Sequence, residues 1–366
     1  MIDKLQFLRS LILSKKTNRK ILVIESDDWG SERIPNKVSR ELLQKKGIDM
    51  ISNPHSLYDT LERLEDLVAL EMVLNGVEKN YQKKVKITAN FITTNPDFEN
   101  IKKSKFENYF FEPFDKTYFR RDGHHKVLDK IHQLCKANYL RPQFHGREHI
   151  NVNLWLDELK NGNHNFLDAF NLNTYAIDIK NNKYPWKNLM AALVYEDQKK
   201  KDFVINSIQE GHQIFKNIFG YTSKTFIAPK YVWNPELEYT FEKCGFTHVQ
   251  TIFYQQNFDG KEVKTIFHYT GQKSKYSNIK YLTRNVFFEP AYGGLDWVKK
   301  SLEKVNLAFK FRAPAIISMH RINFVGGLDD KLRDYNLKQF KILLEEIIYR
   351  YPNVEFLSSD ELAEII

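Results

Sequence analysis

The chain has 366 residues, 42% hydrophobic and 14% aromatic, with a formal net charge of +9. That supplies a large core in either two domains or one α/β barrel, and the basic balance favours anionic partners. The lysines are scattered, with Lys199-Lys200-Lys201 the longest run, and no RRM, zinc-finger or helix-turn-helix pattern is present, so no nucleic-acid partner is expected.

Cys135 and Cys244 are too few and too far apart for a disulfide framework or a zinc ribbon, and both read as small buried hydrophobes. No run of about 18 apolar residues exists to span a membrane. Residues 1–20 lack a small-residue cleavage site and read as an amphipathic helix. The expectation is a reduced, cytoplasmic protein, with an inner membrane face as a peripheral location.

In chain order, Ile21 to Glu25 reads as a first buried strand, closed by Ser26-Asp27-Asp28-Trp29-Gly30. Two adjacent carboxylates repel each other, and a nearby cation would relieve them. Helices are expected at 35–46 and 57–74, the second carrying Leu61, Leu64, Leu67, Val68 and Leu70 on one face. A second strand at 85–93 ends in Thr94-Asn95-Pro96. The aromatic-rich stretch 98–122 reads as an irregular, self-packed surface excursion.

A helix at 124–137 precedes a third strand at 139–144, which ends in His145-Gly146-Arg147-Glu148-His149. Helical segments follow around 153–172 and 187–219. A short strand at 225–228 leads to Pro229-Lys230-Tyr231-Val232-Trp233-Asn234-Pro235. Beyond it come a helix at 236–243, a strand at 247–252 and a hairpin or insertion over 261–275. A strand from 281 ends in Arg284-Asn285. A helix at 297–309, a strand at 315–319 ending in His320-Arg321, a helix at 333–350, a strand at 354–357 and a short helix close the chain. No repeat or flexible linker interrupts it, so residues 1–366 read as one domain, decorated at about 35–122. Alternating strands and helices imply parallel pairing and an α/β fold.

The polar clusters all follow β runs directly. In a parallel barrel those strand ends converge on one face, where the active site lies. If the chain turns helical after Phe144, His145 and His149 share a face and can grip one metal together with a carboxylate, leaving open coordination positions. His320, at a strand end, is a candidate general acid.

The order of these elements resembles the polysaccharide deacetylases of the NodB-homology type. The matching pieces are Ser26-Asp27-Asp28-Trp29-Gly30, His145-Gly146-Arg147-Glu148-His149, Ala228-Pro229-Lys230-Tyr231 and Ile316-Ile317-Ser318-Met319-His320. The resemblance implies a distorted (β/α) barrel with seven or so parallel strands and a metal-dependent hydrolase that removes N- or O-acetyl groups from a saccharide. It implies Asp28, His145 and His149 as metal ligands, Asp27 as general base and His320 as general acid. The divalent ion would be zinc by default, with cobalt, nickel and manganese open.

The sequence departs from that pattern in having Glu25-Ser26 before the Asp pair, Trp29 before Gly30, and no arginine near the Pro229 turn. Lys230, Arg284 or Arg321 would have to supply that charge. Trp29, Lys230, Trp233, Asn234, Arg284, Asn285 and Arg321 are candidate substrate contacts, with Glu289 behind them, and Trp155 and Tyr231 are further stacking candidates. The substrate expected is an acetylated saccharide, and the positive charge suits an anionic or lipid-linked one. Two other readings are a glycoside hydrolase on the same barrel, with Asp27 or Asp28 paired to another carboxylate such as Glu289, and a degenerate barrel that only binds glycans. A two-His-one-carboxylate iron oxygenase ranks below these, because strand–helix alternation does not suit a jelly roll.

Overall fold

The computed structural model describes every residue except Met1, Ala176, 178–188 and 259–261. Its centre is a nearly closed (β/α) barrel in which every strand pairing is parallel. The strands are β1 (Lys20–Trp29), β2 (Ile87–Ile92), β3 (Leu140–Gly146), β4 (Thr225–Ile227), β5 (His248–Ile252), β6 (Lys280–Arg284), β7 (Val286–Phe287), β8 (Ala315–His320) and β9 (Val354–Leu357). Eight of them run in the order β6-β5-β4-β3-β2-β1-β8-β7, and β9 pairs with the first half of β1. Strands covered on both faces read as continuous apolar runs rather than alternating ones. Ile21 to Ile24 and Ala315 to Ile317 are accordingly buried throughout.

The first strand is longer than its apolar run, because the Asp pair belongs to it. Pairing with β2 slips between Ser26 and Trp29, and Asp28 takes a positive φ of 74°. A bulge of this kind re-aims side chains at a strand end. Gly30, at φ 79°, follows directly, and a Cβ there would lie 2.7 Å from the Ile92 carbonyl oxygen. Only glycine fits that turn.

Most elements fall within a few residues of their expected positions, and the exceptions have physical causes. The helix expected at 57–74 is two helices, Pro54–Tyr58 and Leu64–Tyr81. Between them Asp59 and Glu62 are buried as ion-pair partners of Arg33 and Arg321, which outweighs local helix preference. The backbone N–H of Arg63 then bonds the Asp66 carboxylate and opens the second helix.

The stretch 98–122 is more regular than expected. It contains the helices Phe98–Lys103 and Phe114–Asp122, and an antiparallel pair between Thr94–Pro96 and Phe111–Pro113. Phe98 and Phe106 pack edge-on against Phe170, giving the excursion part of a second apolar core beside the barrel. The helix expected from 187 begins at Gln198, capped by Asp197, and residues 187 and 188 lie outside the described residues. The expected insertion over 261–275 is a hairpin of Tyr254–Phe258 with Val263–Phe267, and Lys261 lies outside the described residues. The N-terminal helix spans Ile2–Leu13 and buries Phe7 and Leu11. Cys135 and Cys244 are free and only partly buried. No helix among the described residues is long and apolar enough to cross a membrane.

Three buried histidines serve the fold rather than the site. His212, His248 and His268 are each lowered to about 4, chiefly by burial. The unfolded chain binds protons at these rings from about pH 6.5 downward, whereas the folded chain does not until about 4. Their stabilisation is therefore complete above about pH 6.5 and is lost as the pH falls towards 4. The urea midpoint should fall between about pH 7 and about pH 4.5, and His268→Gln should make that fall shallower. An identical slope in the variant would contradict this assignment for His268.

Candidate active site

Strands β1, β3, β4, β7 and β8 end around one cavity of about 670 Å3. Asp27, His145, His149, Lys230, Tyr231, Glu289 and His320 line it, together with Arg33 and His55 from the segment after β1. The register explains part of the convergence, since Asp27 and His320 are direct partners across β1 and β8.

Asp27 is held from two sides. The Arg284 guanidinium donates to both of its oxygens, Nη1 to Oδ2 at 2.6 Å and Nη2 to Oδ1 at 2.7 Å. Asn90 Nδ2 donates to Oδ1 at 2.7 Å. Burial alone would push the Asp27 carboxyl up, but the adjacent guanidinium more than offsets it and holds the group at about 2. Arg284 also pairs through Nε with Glu25, whose carboxyl burial raises and to which Ser359 donates at 2.7 Å. The arginine expected near the Pro229 turn is thus supplied from the end of β6, one of the three candidates, and Glu25 is its second anchor.

Beyond Asp27, His320 Nε2 lies 4.0 Å from Asp27 Oδ2, while its Nδ1 meets Glu289 Oε1 at 2.5 Å. Asn323 donates to the other Glu289 oxygen at 2.7 Å. Burial disfavours the imidazolium, yet Glu289 and the two aspartates raise the ring to about 9. His320 therefore stands between two carboxylates as a proton-bearing group.

Asp28 is buried and does not itself line the cavity, although His145 and His149 beside it do. His145 Nε2 and His149 Nε2 lie 3.4 and 3.3 Å from its Oδ1, and Arg33 Nη2 lies 2.9 Å from its Oδ2. Burial opposes ionisation of Asp28, but Arg33 and His149 hold its carboxyl well below the usual range. His149 is lowered well below its ordinary value by burial. His145 Nδ1 sits 2.9 Å from the Ile227 carbonyl oxygen and must donate to it. With Nδ1 so engaged, Nε2 is the ring nitrogen that faces the Asp28 carboxylate oxygen. Asp28 Oδ1 and His149 Nδ1 are buried without a hydrogen bond. The three prospective ligand atoms lie within 4.8 Å of one another.

The two histidines do not share a helix face, as the sequence suggested. His145 is the last residue but one of β3, a bend follows Gly146, and the next helix starts only at Val152. Their rings nevertheless meet edge to face at 5.0 Å. Between them Glu148 is taken up by Arg147 and by Ser207, at 2.9 Å from the hydroxyl, and does not line the cavity.

Six of the seven proposed substrate contacts are placed elsewhere, Arg284 among them, fully buried between Glu25 and Asp27 and not lining the cavity. Trp29 and Trp233 are core residues, with indole N–H groups satisfied by Ser26 and Glu238. Asn285 is buried and bonds the Pro314 carbonyl and the Ile316 N–H. Arg321 is buried between Asp59 and Glu62. Asn234 caps the turn at Pro235 and does not line the cavity. Trp155 is also core. Lys230 and Tyr231 do line the cavity, and both take positive φ there.

Arg33, His55 and Tyr292 are cavity residues that sequence reasoning missed. His55 Nε2 lies 2.7 Å from the Tyr292 hydroxyl, and its ring meets His320 edge to face at 4.8 Å. None of the three follows a β run, so strand-end placement gave no signal for them.

Fold and site together define an α/β-barrel protein whose strand-end cavity carries two carboxylates, Asp27 and Glu289, among four histidines. The sequence model of glycosyl hydrolase family 57 matches residues 27–288, more than half of the chain, and the chain belongs to that family. No curated protein matches it. Three solved structures are similar in shape. The 4-alpha-glucanotransferase from Thermococcus litoralis is 11% identical with a TM-score of 0.48, over 96% of this chain and 41% of that one. A probable polysaccharide deacetylase from Pseudomonas aeruginosa PAO1 is 9% identical at 0.47, over 95% and 91%. A family 57 branching enzyme from Thermococcus kodakaraensis is 12% identical at 0.45, over 95% and 71%. This chain thus spans less than half the length of the glucanotransferase.

The family match overturns the resemblance to NodB-type deacetylases, and with it go deacetylation of a sugar and zinc as the expected ion. The physical reason is that Asp-Asp, His-x-x-x-His and a terminal His describe where polar groups stand on a barrel, not which bond they break.

The Arg284 bridge gives a direct prediction. Arg284→Met leaves Glu25 and Asp27 buried without a counter-charge, at a cost of about 3–5 kcal/mol. Urea unfolding should show that loss, whereas a loss within about 0.5 kcal/mol would contradict the bridge.

Proposed function

We propose that this chain cleaves a glycosidic bond, with Asp27 and the His320–Glu289 pair as its acid–base machinery. The observation that carries the reading is the position of His320 between two cavity carboxylates, in a chain that belongs to a glycoside hydrolase family. His320 Nε2–H points the available proton towards the cavity, because Nδ1 is engaged by Glu289. That proton passes to the glycosidic oxygen as the C–O bond breaks, so the departing sugar leaves as an alcohol. The Asp27 carboxylate, kept anionic by Arg284, faces the positive charge that develops on the anomeric carbon. A water adds to that carbon and returns a proton to His320. Tyr231 and Lys230 line the same wall and are placed to bond sugar hydroxyls.

Asp28, His145 and His149 are proposed to hold one divalent cation, supported by the buried, unbonded Asp28 Oδ1 facing two imidazole nitrogens. Bound there, a cation would supply positive charge and open coordination positions for sugar oxygens beside Asp27. This proposal rests on the donor set of this chain alone.

Release of reducing ends from a panel of glycans, neutral and anionic, tests the activity. Asp27→Asn and His320→Gln should each lower the rate by a hundredfold or more, on the order expected for loss of an acid–base group, with the fold retained by circular dichroism. Undiminished cleavage in either variant, or an inert wild-type protein across the panel, would overturn the reading. Metal analysis after dialysis should find about one divalent ion per chain, and none in the His145→Ala/His149→Ala protein. Equal metal content in the two proteins would remove the cation from the account.

A further inference from the structure

Asp28 stands between two pairs of imidazoles. Its Oδ1 has His145 and His149 beside it. Its Oδ2 is also buried without a hydrogen bond among the described residues, and His55 Nδ1 lies 3.9 Å from it. His55 Nδ1 is unbonded in the same sense, and so is Asp59 Oδ2, 3.8 Å away. Buried polar atoms are nearly always paired, so three that are not, gathered in one place, call for a group between them. His320 completes the second pair, its ring meeting that of His55 edge to face at 4.8 Å. One prospective ligand atom from each of Asp28, His55 and His320 lies within 4.8 Å of the other two.

The other nitrogen of each ring decides which one is available. His320 Nδ1 meets Glu289 Oε1 at 2.5 Å, and His55 Nε2 meets the Tyr292 hydroxyl at 2.7 Å. An oxygen partner on the outer nitrogen is the usual way a metal-binding imidazole is held and oriented. His320 Nε2 and His55 Nδ1 are left for Asp28 Oδ2. Two imidazole nitrogens and one carboxylate oxygen suit a first-row divalent cation, and three protein ligands leave a position for water. His55 and His320 both line the cavity, which gives an ion its way in.

We infer that Asp28 Oδ2, His55 Nδ1 and His320 Nε2 form a second, weaker divalent-cation site, and that a cation bound there silences the reaction. It is the weaker site because Arg33 Nη2 already lies 2.9 Å from Oδ2 and repels a cation. Arg33 is not stranded when an ion takes Oδ2, since its Nε also lies 3.2 Å from Asp59 Oδ2. The silencing rests on the saccharide-cleaving reading, in which the proton on His320 Nε2 passes to the glycosidic oxygen. A cation on Nε2 takes the lone pair that holds this proton, which leaves to solvent, and the ring has none to give. The reaction is thereby made sensitive to an excess of divalent ions.

The test is calorimetric titration of the chelator-treated whole chain with Co2+, whose visible spectrum reports its ligands. The wild type should take up two ions, the second about tenfold more weakly or worse, with a change in absorbance at each step. His55→Gln should take up one ion, and His145→Ala/His149→Ala only the weaker one. Tyr292→Phe, made at an exposed position, should keep both and weaken the second by about tenfold, as expected for loss of an imidazole's outer partner. Saccharide cleavage is then followed in excess Co2+, each protein scaled to its own rate at one equivalent. The wild type should slow by about tenfold or more and recover on dialysis, and His55→Gln should need about ten times more Co2+ for the same effect. Uptake of a single ion by the wild type, or of two by His55→Gln, would overturn the site. Uptake of two ions with undiminished cleavage would overturn the silencing. Uptake of two ions by a wild type inert towards every glycan would overturn the cleavage reading, and the silencing with it, while the site stands.

Discussion

The arrangement depends on one buried arginine. Arg284 carries its charge at 0% exposure between Glu25 and Asp27, two carboxylates on one strand that point to different neighbours. Burying either carboxylate alone would be costly, and the guanidinium makes both tolerable while fixing their direction. The bulge at Ser26–Trp29 lets Asp28 turn aside from Asp27. Asp28 then finds its own counter-charge in Arg33, which joins it to the Asp59–Arg321–Glu62 chain of buried ions. Two adjacent acids are thus separated electrostatically, one paired with Arg284 beside His320, the other facing two imidazole nitrogens.

The barrel explains why these groups meet. Strand ends scattered over nearly three hundred residues of chain share one rim because every pairing between them is parallel. The outlying segments serve this rim in different ways. The stretch between β1 and β2 supplies Arg33 and His55, the 254–267 hairpin supplies Tyr254, and the turn after β7 supplies Tyr292. The barrel strands carry the charged groups, and the decorations complete the cavity lining around them. Function carried on segments laid over a rigid scaffold is common in such folds.

What the sequence made legible follows from how local each signal is. Apolar runs ending in polar clusters placed every barrel strand longer than two residues, and they brought Asp27, Asp28, His145, His149 and His320 to one place. Buried strands are continuous in hydrophobicity, and that property survives tertiary context. Signals that depend on partners were lost. Asp59 and Glu62 broke a helix that Leu61, Leu64 and Leu67 seemed to support, because their roles are set by arginines elsewhere in the chain. Arg284 was visible only as one of three possible sources of charge. The tryptophans looked like sugar platforms, yet a large indole with its N–H satisfied is good core material, and the exposed rings lining the cavity are tyrosines and a phenylalanine. The motif order also led to the wrong chemistry. Short clusters at strand ends encode a geometry that different hydrolases can share, and only a match over residues 27–288 separates them.

The central claim is that a saccharide sits on this floor with its reacting carbon between residue 27 and His320. A crystal structure of the Asp27→Asn protein with an oligosaccharide bound addresses it most directly. The account predicts the glycosidic oxygen within hydrogen-bonding distance of His320 Nε2, with the anomeric carbon facing residue 27 beside an unmoved Arg284. A sugar bound outside the cavity, or oriented with its glycosidic oxygen away from His320, would contradict it.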